Sequence, residues 1–164
     1  MAGLDDDAVA GLIIEYLTWG EEGLRAEYGI EEPPADTSLV RSKLGDYRPP
    51  NGLLLLATFG DDPVGVGALR WLDNGVAEVK RMYVAPRCRG AHLGSTLLDR
   101  LLEEAALHNA SVLRLDTVRF MTDAQNLYRS RGFVERKPYE GTEIPSHMQQ
   151  HWLFFERRMS ATPS

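Results

Sequence analysis

Residues 87–95 read RCRGAHLGS, between an apolar run that ends MYVAP (82–86) and a leucine-rich run that begins TLLDRLLEEA (96–105). A strand passing into a helix needs only a short polar turn, so two arginines, two glycines and a histidine here call for a further reason. A glycine-rich loop that feeds a helix leaves backbone N–H groups at the positive end of the helix dipole, and that arrangement binds phosphate. Arg87 and Arg89 would add charge-assisted contacts, and a guanidinium fork suits a pyrophosphate better than an ammonium does. The stretch reads as an anion cradle. It is not a dinucleotide fingerprint, because the first glycine spacing is missing, and no Gly-Lys-Ser/Thr follows to make a Walker loop.

Upstream of the cradle, LLLLATF (53–59), VGVGALRWL (64–72) and VAEVKRMYV (76–84) are strand-length runs separated by GDDP and DNG, which predicts three antiparallel strands in a row. Gly65 and Gly67 weaken the middle strand and point to a bulge or a close backbone approach. Earlier still, Val9, Leu12, Ile13, Tyr16, Leu17, Leu24 and Tyr28 recur at helical spacing, with Gly20 as a point of division into two helices. The stretches GIEEPPADTS and RPPNG read as irregular.

Downstream, Leu97, Leu98, Leu101, Leu102 and Ala105 form the apolar stripe of a core-facing helix. A strand (111–118), a short helix (122–131) and two more strands within 133–139 and 151–159 complete the order. The expected fold is α/β of the mixed α+β kind, a central, mostly antiparallel mixed sheet flanked by helices, in one domain over 1–159 with a disordered tail at 160–164.

Composition narrows the function classes. The 164 residues carry a formal charge of -6, which disfavours a nucleic-acid binder driven by phosphate neutralisation. Residues 1–50 hold 11 acids and 4 bases, so an acidic front end faces a nearly neutral remainder. No apolar stretch is long enough for a membrane span, and the acidic start lacks the order of a secretion signal, so a cytoplasmic location is expected. Cys88 is the single cysteine, which rules out an internal disulfide, and the histidines show no metal-ligand spacing, so no metal is expected.

The segment EVKRMYVAPRCRGAHLGSTLLDRLLEEA (78–105) resembles the cofactor-binding motif of the GNAT superfamily of N-acetyltransferases, and AQNLYRSRGFVE (124–135) resembles its second signature, Leu-Tyr-x-x-x-Gly-Phe. The resemblance implies an enzyme that uses acetyl-CoA as co-substrate. In such a fold the backbone of Met82, Tyr83 and Val84 pairs with the pantetheine arm. The pyrophosphate lies on Arg87, Arg89, Gly90, Ala91, His92, Leu93, Gly94 and Ser95. Two residues depart from the family pattern: His92 stands where a glycine is expected, and Met121 where many members have an asparagine.

Acetyl transfer to an amine needs a neutral amine, stabilisation of the developing oxyanion and a proton for the leaving thiolate. The resemblance makes Tyr128 the acid beside the sulfur. Glu78, among Val76, Val79 and Met82, is either a buried base or a carboxylate paired with Lys80 or Arg70 on a wet face; alternation puts it on the same face as Lys80 and Met82. His92 either touches a phosphate or faces solvent.

In the resembled fold the first helices and the loop before the last strand wall the acceptor site. Here these supply Glu21, Glu22, Glu27, Glu31, Glu32, Glu140 and Glu143, with Trp19, Tyr28 and Tyr139. A small cationic amine is therefore the expected acceptor, attacking directly in a ternary complex. A protein or peptide amine, and a non-catalytic acyl-CoA sensor, are the alternatives. A homodimer through the apolar last strand is a further expectation.

Overall fold

The computed structural model describes residues 5–160, so the expected tail lies, Ser160 apart, outside the described residues. The elements are α1 (Asp6–Tyr28), α2 (Thr37–Ser42), β1 (Gly52–Phe59), β2 (Asp62–Trp71), β3 (Val76–Val84), α3 (Leu93–Leu107), β4 (Val112–Val118), α4 (Thr122–Ser130), β5 (Val134–Arg136) and β6 (Trp152–Arg158). One six-stranded sheet runs in the order β1-β2-β3-β4-β6-β5. Only β3 and β4 are parallel, so the sheet is mixed and mostly antiparallel, as the alternation of hairpins and helices led us to expect.

Gly20 does not divide the first helix, which runs unbroken from a cap at Asp5, whose carboxylate accepts from the Asp7 N–H at 2.9 Å. A mid-helix glycine costs about 1 kcal/mol. Burial of Val9, Leu12, Ile13 and Leu24 outweighs it, since each fully buried aliphatic side chain contributes about 1.5–3 kcal/mol. The supposedly irregular stretch before β1 contains α2, started by Asp36, which accepts from the Leu39 N–H at 3.1 Å.

The helices cover both faces of the sheet. On one, Leu98, Leu101 and Ala105 of α3 pack with Leu69, Val79, Leu113, Leu115 and Phe155, and Tyr128 of α4 joins them. On the other, Val9, Leu12 and Ile13 of α1 pack on Leu54, Val66, Ala68 and Tyr83.

A bulge in β3 interrupts the regular pairing. Ala68 pairs with Lys80 and Val66 with Tyr83, so β3 spends two residues, Arg81 and Met82, against Gly67 alone. Arg81 takes a left-handed φ of 57°, a conformation that costs an L-residue roughly 1–2 kcal/mol. The glycines of β2 did mark the place, but the extra residue belongs to β3. A Cβ on Gly67 would lie 2.8 Å from the Met82 sulfur and 3.1 Å from Leu101 Cδ1, so the glycine leaves room for Met82.

Because an added residue reverses the faces beyond it, Met82 does not share the face of Glu78 and Lys80, as simple alternation had it. Glu78 and Lys80 lie on the α1 face, with their partners Arg70 and Ala68, while Met82 packs with the α3 core. The same bulge ends the β3–β4 ladder early. Only Val76, Ala77 and Glu78 pair with β4, and beyond them the two strands part.

Candidate active site

The parted strands open a cleft on the α3 side, with a volume of about 370 Å³. Met82, Tyr83 and Val84 form one wall, and Leu127 and Tyr128 of α4 face them. Leu93, Gly94 and Ser95, the first turn of α3, close one end, beside Arg89, Gly90 and His92. Nine of the expected cofactor residues thus line one cleft. Beyond Glu78, β3 has no strand partner on the β4 side, which leaves an edge for an extended ligand arm to follow.

The cradle is built from backbone. His92 is the N-cap of α3 but makes no side-chain cap hydrogen bond, so no side chain satisfies the N–H groups of the first turn, and they remain for an anion. Gly90 at φ 90° and His92 at φ 60° turn the chain into the helix. The left-handed angle at His92 explains why a glycine suits this position, and why the histidine is tolerated only at some cost.

Two cradle residues lie elsewhere. The Arg87 guanidinium forms a fork with the Asp62 carboxylate at 3.1 and 3.2 Å and donates to the Pro63 carbonyl, so it is turned toward the start of β2 and away from the cleft. Ala91 is exposed outside the lining. Arg89, by contrast, lies over the Trp19 ring at 4.7 Å and donates from Nε to the Val84 carbonyl at 3.1 Å. Its charge sits at the rim, where it can meet a phosphate.

Tyr128 is buried between Phe133 and Phe155, with ring centroids at 5.9 and 6.3 Å. Its side chain makes no hydrogen bond among the described residues, and the residue lines the cleft. Burial raises its pKa far above the ordinary phenol value, with Tyr16 and Asp116 adding to the effect, so the group holds its proton at every working pH.

A second cavity, about 300 Å³, lies on the α1 face and shares Met121 with the cleft. Of the acids expected at the acceptor wall, Glu21, Glu32 and Glu143 line it. Glu22, Glu27, Glu31 and Glu140 do not; Glu31 is held on the surface by Arg25 at 2.9 Å. Among the aromatic residues, Trp19 lines the cofactor cleft, Tyr28 stacks on His151 at 4.5 Å, and Tyr139 is buried. The cavity also holds Lys80, Arg81 and Asp116, which sequence reasoning did not select.

Glu78 is fully buried and lines neither cavity. Its carboxylate accepts from Arg70 at 2.9 Å and from the Tyr139 hydroxyl at 2.7 Å, so the pairing with Arg70 exists, but in the interior and not on a wet face. The Tyr139 oxygen also lies 3.3 Å from Asp116 Oδ2. One phenolic proton cannot serve both carboxylates, and the shorter bond goes to Glu78. Asp116 is left with the longer contact to that hydroxyl.

Burial raises the Asp116 pKa; Lys80, 3.9 Å away, works against the rise, and Glu78 and Glu143 add to it. Lys80 is disfavoured as a cation by burial, yet Asp116, Glu78 and Glu143 overcome this and hold its pKa above the ordinary value. Glu143 likewise resists burial through Lys80, hydrogen-bonded at 3.0 Å, and stays below the usual carboxylate range. A sequence signal for Asp116 existed. In β4, Leu113 and Leu115 enter the α3 core, so Arg114 and Asp116 must be charged residues on the opposite, half-covered face.

The profile of the Acetyltransferase (GNAT) family matches residues 8–133. An IAA acetyltransferase from Azospirillum brasilense is 37% identical over 91 residues, 55% of this chain and 60% of that protein. The N-acetylaspartate synthetase of Mus musculus is 36% identical over 87 residues, 52% of this chain and 29% of its own length. Among solved structures, a GNAT acetyltransferase from Staphylococcus aureus Mu50 superposes with a TM-score of 0.71 at 22% identity, covering 92% of this chain and 93% of that one. The PaiA N-acetyltransferase of Thermoplasma acidophilum, in complex with coenzyme A, gives 0.70 at 18% identity, covering 94% and 93%. These structural likenesses bear on the fold.

Proposed function

Since the chain belongs to the GNAT acetyltransferase family, we propose that it transfers the acetyl group of acetyl-CoA to the primary amine of a small molecule, by direct attack in a ternary complex. The observation that carries this reading is the meeting of two cavities at Met121: one with an uncapped helix N-terminus and a protonated phenol, the other with carboxylates suited to an ammonium.

The cleft fits coenzyme A. The first-turn N–H groups of α3 and Arg89 would hold the pyrophosphate, and the open edge of β3 the pantetheine arm. Acetyl-CoA supplies an activated acyl carbon, at which a C–N bond forms as the C–S bond breaks. The acceptor arrives as an ammonium, drawn by Glu21 and Glu32. An amine of lysine-like pKa is neutral in only about one molecule in 10³ at pH 7, so a proton acceptor has much to contribute. Asp116 takes that role, because burial brings its proton affinity closer to neutral pH. Tyr128 donates its proton to the departing sulfur and is reprotonated by the second proton that the nitrogen gives up as the amide forms, while Asp116 passes the first to solvent. Glu78 acts through Tyr139, which it holds beside Asp116, and so is a positioning residue.

The test is a calorimetric titration of acetyl-CoA into the wild type and Gly94→Glu, followed by thiol release with a panel of primary amines. A Cβ at Gly94 would meet Leu127 Cδ2 at 3.6 Å and Val84 Cγ2 at 3.9 Å, so the fold accepts a side chain, while its carboxylate would repel an anion in the cradle. Wild-type binding that is lost in Gly94→Glu, together with amine-dependent thiol release, is the expected outcome. Binding without turnover would favour the sensor; no binding would end both readings.

A further inference from the structure

We propose that the acceptor carries a carboxylate which Arg81 binds, so that the substrate class is a small amino acid or a similar zwitterion and not a simple amine or a polyamine. This rests on the proposal that the α1-side cavity receives the acceptor. Arg81 is one of the two residues that β3 spends on its bulge, and it holds a backbone angle that side chains avoid. Arg81 is half-buried and lines that cavity.

The neighbouring cations are matched and Arg81 is not. Lys80 has Glu143 at 3.0 Å, and Arg70 has Glu78 at 2.9 Å. Glu143 is further occupied by Arg70, at 3.8 Å from its other oxygen. Among the described residues, no carboxylate comes within ion-pairing distance of Arg81; a hydrogen bond to the Tyr47 side chain, with Glu143 and Tyr16 nearby, holds its charge against burial. Its guanidinium therefore stays charged at the cavity with no carboxylate of the protein in direct contact, and a ligand carboxylate could take that place. Its planar fork is matched by a carboxylate.

Across the same cavity, Glu21 and Glu32 have no cationic partner among the described residues. An unmatched cation and unmatched carboxylates in one small space complement a molecule with an ammonium and a carboxylate. A polyamine would satisfy the acids and leave Arg81 unanswered. The volume of about 300 Å³ lies at the lower end of ligand cavities, which fits an amino acid better than a peptide segment.

The experiment compares matched pairs, each an amino acid and the amine left by its decarboxylation: leucine with isopentylamine, phenylalanine with phenethylamine, lysine with cadaverine, and so on across side-chain classes. Thiol release would be read for the wild type, Arg81→Gln and Arg81→Lys. Titration of the best amino acid into CoA-saturated protein adds a binding readout, and thermal melting with acetyl-CoA affinity confirms that each variant folds.

In the wild type the carboxylate-bearing member should be preferred about tenfold or more. Arg81→Gln should lower kcat/KM for it on the order of 10² while changing the plain amine only a few-fold, with Arg81→Lys between them. Equal or better use of the decarboxylated amines by the wild type, or equal losses for both members in Arg81→Gln, would overturn the proposal and leave the acetyltransferase reading standing. Acetyl-CoA binding with no thiol release for any acceptor would overturn that reading, and the proposal with it.

Discussion

The two cavities that meet at Met121 are built on different principles. The α3-side cleft is made of backbone and apolar walls: a strand edge released by a bulge, the bare first turn of a helix, and a phenol between two other aromatic rings. The α1-side cavity adds charge to an apolar lining, with Lys80, Asp116 and Glu143 in one network that reaches Glu78 and Arg70. Backbone geometry suits a ligand that is the same in every turnover. Charged side chains can match the charges of a particular ligand, at the cost of keeping each buried charge paired. The single added residue in β3 creates both, since it parts the strands on one face and turns Arg81 into the cavity on the other.

The sharpest way to separate the two is to disable one and read the other. Asp116→Asn should lower kcat on the order of 10³ while acetyl-CoA affinity stays unchanged, measured by thiol release and calorimetry. Tyr128→Phe should lower kcat on the order of 10² at every acceptor, because a proton donor to sulfur serves all of them alike. Gly67→Ala acts on the division itself: a methyl 2.8 Å from the Met82 sulfur should cost about 1–3 kcal/mol in chemical denaturation and weaken acetyl-CoA binding through the displaced wall. His92→Gly should have the smallest effect. Relief of its left-handed angle should stabilise the protein by about 1 kcal/mol and raise Tm by about 2–4 °C, with turnover little changed.

The cleft was more legible in the sequence than the cavity, for a physical reason. A cradle needs consecutive residues, and RCRGAHLGS with LYRSRGF is contiguous enough to be read as written. Even so, Arg87 and Arg89 look equivalent in sequence, and only the position of Asp62 at the start of β2 draws Arg87 away. The α1-side cavity is assembled from α1, β3, β4 and the loop before β6, and its ion pairs, Lys80 with Asp116 and with Glu143, join residues far apart in sequence. Glu78 stood out because it sits beside the motif. Asp116, 38 positions later, lines the cavity where Glu78 does not, and a face-reversing bulge at Arg81 could not be placed from alternation alone.

The most direct test of the division is the pH dependence of kcat for the wild type beside Lys80→Met and Asp116→Asn, with acetyl-CoA affinity followed at each pH. Burial raises the Asp116 pKa and Lys80 opposes the rise, so the wild-type rate should climb with pH along a limb above the ordinary carboxylate range. Removing Lys80 should move that limb to higher pH, and Asp116→Asn should abolish it, with acetyl-CoA affinity flat throughout. A limb that persists in Asp116→Asn, or an acetyl-CoA affinity that follows the same titration, would contradict the separation of the two cavities.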